Sequence, residues 1–389
     1  MSGWITERAD AYCDSVRDGT HDSPKPVERG HRLITSKHIA NETLNFAGAN
    51  FISDEDYEAI NQRSKVDVGD LLFSMIGTVG RVYRVDDEPD YAIKNMGLFK
   101  ISDELKSKYL FYYMQSPTAR QYIEGCLAGS TQKFMSLTSL RAFPIVYPND
   151  HTTMAAIVEI LDSLTWKHRI NQRTNDYLAA MCDAVFSEQF GGIEDNAVLS
   201  DAADITMGQS PSGKSYNEDG DGTVFYQGRG EFGWRFPTQR LFTTEPKRMA
   251  AEGDVLMSVR APVGDLNVAY EDCCIGRGLA AIHSQYPSYC LYLMRSLGKK
   301  LDAYNGEGTV FGSINGKALN GLEIGLPDID AIKAFETYAR PIDQQIRSNV
   351  TEERCLAALR DALLPKLMSG EIDVSQVELP MQPNNHLSV

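Results

Sequence analysis

The 389-residue sequence has no uninterrupted apolar run long enough to cross a bilayer, so no helical membrane span is expected. Its start, Met1-Ser2-Gly3-Trp4, lacks the basic and apolar blocks of a secretory signal, and a cytoplasmic location is the expectation that follows. Cysteine is sparse: there are seven, and Cys273-Cys274 is the only close pair, which supports neither a disulfide framework nor a CxxC zinc set. Reduced thiols and no metal are expected. Positive charge is also short, with 38 Lys and Arg against 53 Asp and Glu, a net charge of -15. Nonspecific nucleic-acid affinity comes mainly from phosphate neutralisation, so a free-standing tight binder is disfavoured unless a partner adds cationic surface. Catalytic text is missing as well: there is no (D/N)PP(Y/F) methyl-transfer motif, no Walker A loop, no HExxH and no GxSxG.

What is present is an ordinary globular composition, 42% hydrophobic and 23% charged, with room for two or three domains. One stretch organises the rest. From His151 to Phe186 the spacing predicts a long helix whose apolar seam runs Ile157, Leu161, Leu164, His168, Asn171, Asn175, Leu178, Cys182, Val185. Steps alternating between four and three keep a stripe facing a partner helix in a left-handed supercoil. Near the other end, Ile332, Phe335, Ala339, Ile342, Ile346, Asn349, Glu353, Leu356, Arg360 and Leu363 take the same steps. Two such helices most simply pair with each other; the alternative is two amphipathic helices packed on separate domains.

Between and before them, one unit is written twice. Gly69-Asp70-Leu71-Leu72-Phe73-Ser74, followed by Val79-Gly80, returns 184 residues later as Gly253-Asp254-Val255-Leu256-Met257-Ser258 and Val263-Gly264. Tyr109-Leu110-Phe111-Tyr112-Tyr113-Met114 returns as Tyr289-Cys290-Leu291-Tyr292-Leu293-Met294, 180 residues on. Gly129-Ser130-Thr131, Leu140 and Pro148 return as Gly308-Thr309-Val310, Leu319 and Pro327, and Leu178-Ala179-Ala180 as Leu356-Ala357-Ala358. Four phrases in one order at nearly one offset describe a tandem duplication. Each copy is a mixed α/β globule followed by a long helix, and the divergent text between phrases gives the surface loops two different tasks. The GD phrase reads as a turn into a buried strand, and the tyrosine-rich phrase as a short helix covering the sheet.

At this point the residues resemble a known family, the specificity subunits of type I restriction-modification systems, over almost the whole chain to about Asp373. The most specific stretch is Cys355-Leu356-Ala357-Ala358-Leu359-Arg360-Asp361-Ala362-Leu363-Leu364-Pro365-Lys366-Leu367-Met368-Ser369-Gly370-Glu371, similar to the family's ending of the second spacer helix. The first unit departs from it, with Cys182-Asp183-Ala184-Val185-Phe186-Ser187-Glu188 at the matching place. The resemblance implies an α+β chain: a first target-recognition domain at 1-150, a spacer helix at 151-190, a second domain at 191-328, a second spacer helix at 329-373 and a disordered tail at 374-389. The spacer helices would pair as an antiparallel coiled coil. It implies a non-catalytic subunit that reads a bipartite site in double-stranded DNA, one domain per half-site. It would join two adenine methyltransferase subunits and, in a full system, nuclease and translocase subunits. No cofactor is expected on this chain; S-adenosylmethionine belongs to the methyltransferase partner. A helix of about 35 residues spans roughly 50 Å, about 15 base pairs, which suits two short half-sites around an unread gap. The alternative of another class is a coiled-coil, protein-binding scaffold without DNA specificity.

Candidate DNA-contacting residues are the amide, hydroxyl and basic groups of the loops that differ between the copies. Gly228-Arg229-Gly230-Glu231-Phe232-Gly233 matches GxGxxG, but Trp234, Phe236 and Pro237 oppose the helix that a dinucleotide fingerprint must open. It reads instead as a loop presenting Gln227, Arg229 and Arg235, at the place where the first unit has Ser36, Lys37 and His38. Thr20 and His21 correspond to Gln209, Ser210 and Lys214 early in each unit. Gln132 and Lys133 match Thr309 ahead of the helices. Arg260 and Arg277 stand where the first unit has Ile76 and Asn95 or nearby residues. Each of these could equally be a solvated loop residue or pair with a nearby carboxylate. On the helical seam, Ile157, Leu161, Leu164, His168, Asn171, Leu178, Ile342, Ile346, Asn349, Leu356 and Leu363 are the candidate pairing residues, the polar ones setting register or sitting in a splayed, solvated middle.

Overall fold

The computed structural model describes residues 3-40, 43-128, 133-306 and 312-374. It divides into two units, Met1–Arg169 with Glu353–Val389, and Ile170–Glu352. Each is built on a four-stranded antiparallel sheet. In the first unit its strands lie in the order Ser15–Asp18, Met96–Lys100, Leu71–Ser74, Val82–Arg84; in the second, Asp204–Met207, Leu279–His283, Val255–Ser258, Leu266–Val268. The order is the same in both, so the duplication extends to strands that share no text.

The repeated GD phrase explains the centre of each sheet. Gly69 and Gly253 adopt φ of +90° and +88°, a turn conformation that glycine takes without a Cβ penalty. The next residue closes the turn: Asp70 Oδ2 accepts from Asp67 N at 2.7 Å, and Asp254 Oδ2 from Ala251 N at 2.8 Å. The four residues that follow are buried throughout. The terminal serine then ties the hairpin. Ser74 Oγ donates to Thr78 O and accepts from Arg81 N; Ser258 Oγ donates to Pro262 O and accepts from Asp265 N.

A second sheet in each unit contains one parallel pair. His31–Ile34 runs parallel to Tyr91–Ile93 in the first unit, and Thr223–Tyr226 parallel to Cys273–Ile275 in the second. The tyrosine-rich phrases form helices Glu104–Tyr113 and Pro287–Ser296, buried on the sheets. One tyrosine in each reaches a long helix. Tyr112 Oη donates to Asp162 Oδ1 at 2.7 Å in the first unit, and Tyr292 Oη to Asp343 Oδ1 at 3.0 Å in the second. The same residue of the repeat thus anchors a different long helix in each unit.

The long helices are His151–Phe190 and Ile329–Met368. Phe190, the last residue of the first, is itself a core residue, meeting Phe335 at 5.7 Å between ring centroids. In the second unit their pairing is antiparallel: Asn171 Nδ2 donates to Glu352 Oε2 at 2.7 Å, Asn349 Nδ2 to Asn175 Oδ1 at 2.8 Å, and Phe186 packs on Phe335. In the first unit Ile157, Val158 and Leu161 share one core with Leu364, Leu367 and Met368. Of the expected seam, Ile157, Leu161, Asn171, Ile346 and Asn349 are buried, while Leu164, His168, Leu178, Ile342, Leu356 and Leu363 are half-buried. Past Asn175 the buried stripe advances through Ala179, Cys182, Phe186 and Phe190, one residue later than a strict heptad at the first and third of these. Steps of four, three, four and four follow a nearly straight helix rather than a left-wound one.

Val374 is buried and Ile372 packs on the first unit's core, so the expected disordered tail does not begin at 374. Residues 375-389, the rest of that expected tail, lie outside the described residues. Among the described residues no helix is long and apolar enough to cross a membrane.

Candidate nucleic-acid interface

Parallel pairing has a geometric consequence: two parallel strands end at the same end of their sheet, and so do the loops that leave them. In the first unit these loops are 35-38, after Ile34, and 94-95, after Ile93. In the second they are 227-231, after Tyr226, and 276-278, after Ile275. A third loop joins them, because the strand ending at Asp18 or Met207 runs antiparallel to the central strand that follows the turn. The wiring is the same in both units. Gly19 N donates to Met96 O and Thr20 N to Ile93 O; Gly208 N donates to Leu279 O and Gln209 N to Ile275 O. Lys94 N bonds Ile34 O, as Gly276 N bonds Tyr226 O. Gly19 and Gly208 are required by close approach, since a Cβ there would collide with the carbonyls of Ile93 and Gly276.

In the first unit, Thr20, His21 and Ser36 converge on Asn95. Asn95 N donates to Thr20 O at 3.1 Å, His21 Nδ1 lies 2.8 Å from Asn95 Oδ1, and Ser36 Oγ reaches Asn95 O at 3.5 Å. His21 Nε2 in turn lies 3.0 Å from Asp18 Oδ2, a buried carboxylate that also pairs with Arg63. Lys37 is exposed on the neighbouring turn. His38 is not: it is 3% exposed, and its Nδ1 accepts from Thr35 N at 2.9 Å. Burial, with Lys37 adjacent, pushes its imidazole below the ordinary histidine value. The expectation of His38 as a DNA contact is corrected, because its ring is spent on fixing the loop from inside.

In the second unit, Ser210, Gln227, Arg229, Arg260 and Arg277 line one concavity. Arg277 N donates to Ser210 Oγ at 3.3 Å. Arg229 pairs with Asp265, but Arg260 and Arg277 are exposed and form no ion pair among the described residues. Gln209 and Lys214 are exposed nearby in sequence but do not line this concavity. Arg235 departs from the expected presenting loop. It is 5% exposed, its Nη1 lies 3.2 Å from Asp343 Oδ1, and its guanidinium stands over the Tyr292 ring. Burial raises the Asp343 carboxyl while Arg235 opposes the rise. Arg235 therefore holds the loop to the second long helix and is corrected from a reader to a support.

The glycine-rich text forms a short turn, Arg229–Glu231, and Glu231 is buried against Arg240 at 2.7 Å. This single 3-10 turn is not continued as an α-helix. Lys133 is exposed, with its carbonyl accepting from Gly77 N. Gln132 and Thr309 lie outside the described residues. Among the described residues no group of His, Cys, Asp and Glu is arranged to hold a metal ion. Asn95 was not among the expected contacts, although the repeat sets it opposite Arg277; its place beside Thr20, His21 and Ser36 required the fold.

The family model for the type I restriction modification DNA specificity domain matches residues 25-179. A relative from Methanocaldococcus jannaschii, named for the type I restriction enzyme MjaX specificity subunit, is 26% identical over 403 residues, covering 95% of this chain and 94% of its own. Among solved structures, the S subunit of a type I restriction-modification system from M. genitalium matches with a TM-score of 0.56 at 16% identity, covering 94% of this chain and 96% of that one. At that identity the likeness speaks for the fold.

Proposed function

We propose, from the premise that this chain belongs to the specificity subunits of type I restriction-modification systems, that each of its units reads one half of a bipartite, asymmetric DNA site. Specificity subunits are the non-catalytic members of their systems and work with DNA and methyltransferase subunits. The observation that carries the reading is the pairing of one repeated frame with two unlike loop sets: the same backbone wiring presents Thr20, His21, Ser36 and Asn95 in one unit, and Ser210, Gln227, Arg260 and Arg277 in the other. Unlike readers on like frames suit unlike half-sites.

In this reading the long helices fix the gap between half-sites and dock two adenine methyltransferase subunits, which hold S-adenosylmethionine; nuclease and translocase subunits join in a full system. A 40-residue helix is about 60 Å long, a fixed length that salt or sequence context does not alter. The net charge of -15 supports a division of labour in which the partner subunits supply most of the phosphate-neutralising surface. Electrophoretic shift of mixed-sequence duplexes, with and without the methyltransferase subunits, tests this. Sequence-selective binding that strengthens with the partner is expected; no sequence preference in either case would leave a protein-binding scaffold.

A further inference from the structure

Resting on that reading, we infer that the turn after the parallel-paired strand is the base-reading finger of each unit, with Asn95 recognising an adenine in one half-site and Arg277 a guanine in the other. The two turns leave equivalent strands and re-enter equivalent strands, yet one has two residues, Lys94 and Asn95, and the other three, Gly276, Arg277 and Gly278. The frame is constant and the content is not, as specificity requires.

Each turn is built to present one side chain. In the second unit a Cβ at Gly276 or Gly278 would lie within 2.9 Å of the Gln227 backbone, closer than real Cβ contacts, so neither flanking position can carry a side chain. Arg277 is what remains, exposed, with its main chain fastened to Ser210. Its neighbours are poorer readers. Arg229 is neutralised by Asp265, and Arg260 forms a β-bridge with Ser313 where the first unit has Ile76 bridged to Phe134, an apolar counterpart that cannot pair with a base edge. A free guanidinium fits the O6 and N7 acceptors of guanine.

In the first unit Asn95 is the one non-glycine residue with positive φ among the described residues, at +54°. Asparagine tolerates that conformation better than most residues, but it is kept here by surrounding structure. His21, braced on Asp18, orients one end of the amide, and the other end takes no hydrogen bond among the described residues. The carbonyl oxygen keeps a second lone pair, so the side chain can still offer the donor and acceptor that match adenine N7 and N6.

The test maps methylated motifs genome-wide in cells expressing the chain with its methyltransferase subunits, as wild type, Arg277→Ala, Arg277→Gln and Asn95→Gly, the last keeping the left-handed backbone. A wild-type motif that is not split defeats the reading beneath the inference. Given a split motif, both Arg277 variants are expected to relax one G·C position of one half-site, and Asn95→Gly one A·T position of the other, with the gap unchanged. In competition binding by the purified complexes, preference at that position should fall from roughly tenfold or more to within about twofold. An unaltered motif overturns the inference, and so does uniform weakening at every position, which marks a phosphate contact. Failure of both Arg277 variants to assemble overturns it too, because an exposed reader is dispensable for folding.

Discussion

Ser74 and Ser258 do the same work in the two units, each donating to one backbone carbonyl and accepting one backbone N–H across a hairpin. Replacing Ser258 by Ala removes the partner of the half-buried Asp265 N–H and of the Pro262 carbonyl, so denaturant unfolding of the purified chain should show a loss of about 0.5-1.5 kcal/mol. A loss below about 0.5 kcal/mol would mean that water replaces the hydroxyl. His38 carries a pH prediction. Its folded value lies below the ordinary 6.5, so the neutral ring favours the fold above that pH, and the advantage is lost as pH falls through 6.5 toward the folded value. Between pH 7.5 and 5.5 wild type should therefore lose thermal stability relative to His38→Gln; parallel curves would contradict it. The turn at Gly69 and Asp70 was legible in the sequence because its partners are local. Arg235 was not, since its burial depends on a partner elsewhere in the fold: Asp343 stands 108 residues away.

Among the elements, the two long helices were the most legible, because periodicity over ten turns outweighs local exceptions. The exceptions are physical. Ala179 and Phe186 take the buried places expected of Leu178 and Val185, as a straight helix drifts past a heptad count within a few turns. Asn175 and Asn349 do lie buried at the seam and bond each other. Asn175→Leu removes the acceptor of Asn349 Nδ2 and Asn349→Leu the donor to Asn175 Oδ1, and either alone should cost about 1-3 kcal/mol. The double variant should cost less than the sum of the two by at least about 0.5 kcal/mol, read as a coupling in a double-mutant cycle. Strict additivity would show that the bond contributes nothing specific. Strand order was the least legible, because parallel pairing of Tyr91–Ile93 with His31–Ile34 joins residues about sixty positions apart, with no shared pattern to announce it.

For the whole molecule, duplication was plain from four shared phrases, and the loop ends that the duplication brings together required the fold. The reading of the helices as a ruler has its own consequence: adding or removing one heptad in both should alter the gap between half-sites and leave the half-site bases unchanged. Altered bases around an unaltered gap would contradict it. Two unlike readers on one repeated frame can be sought by genome-wide adenine methylation mapping in cells expressing this chain with methyltransferase subunits. A split motif is expected, two different half-sites around a fixed gap, with adenine methylated on each strand. A methylated continuous palindrome, or methylation that does not depend on this chain, would contradict it.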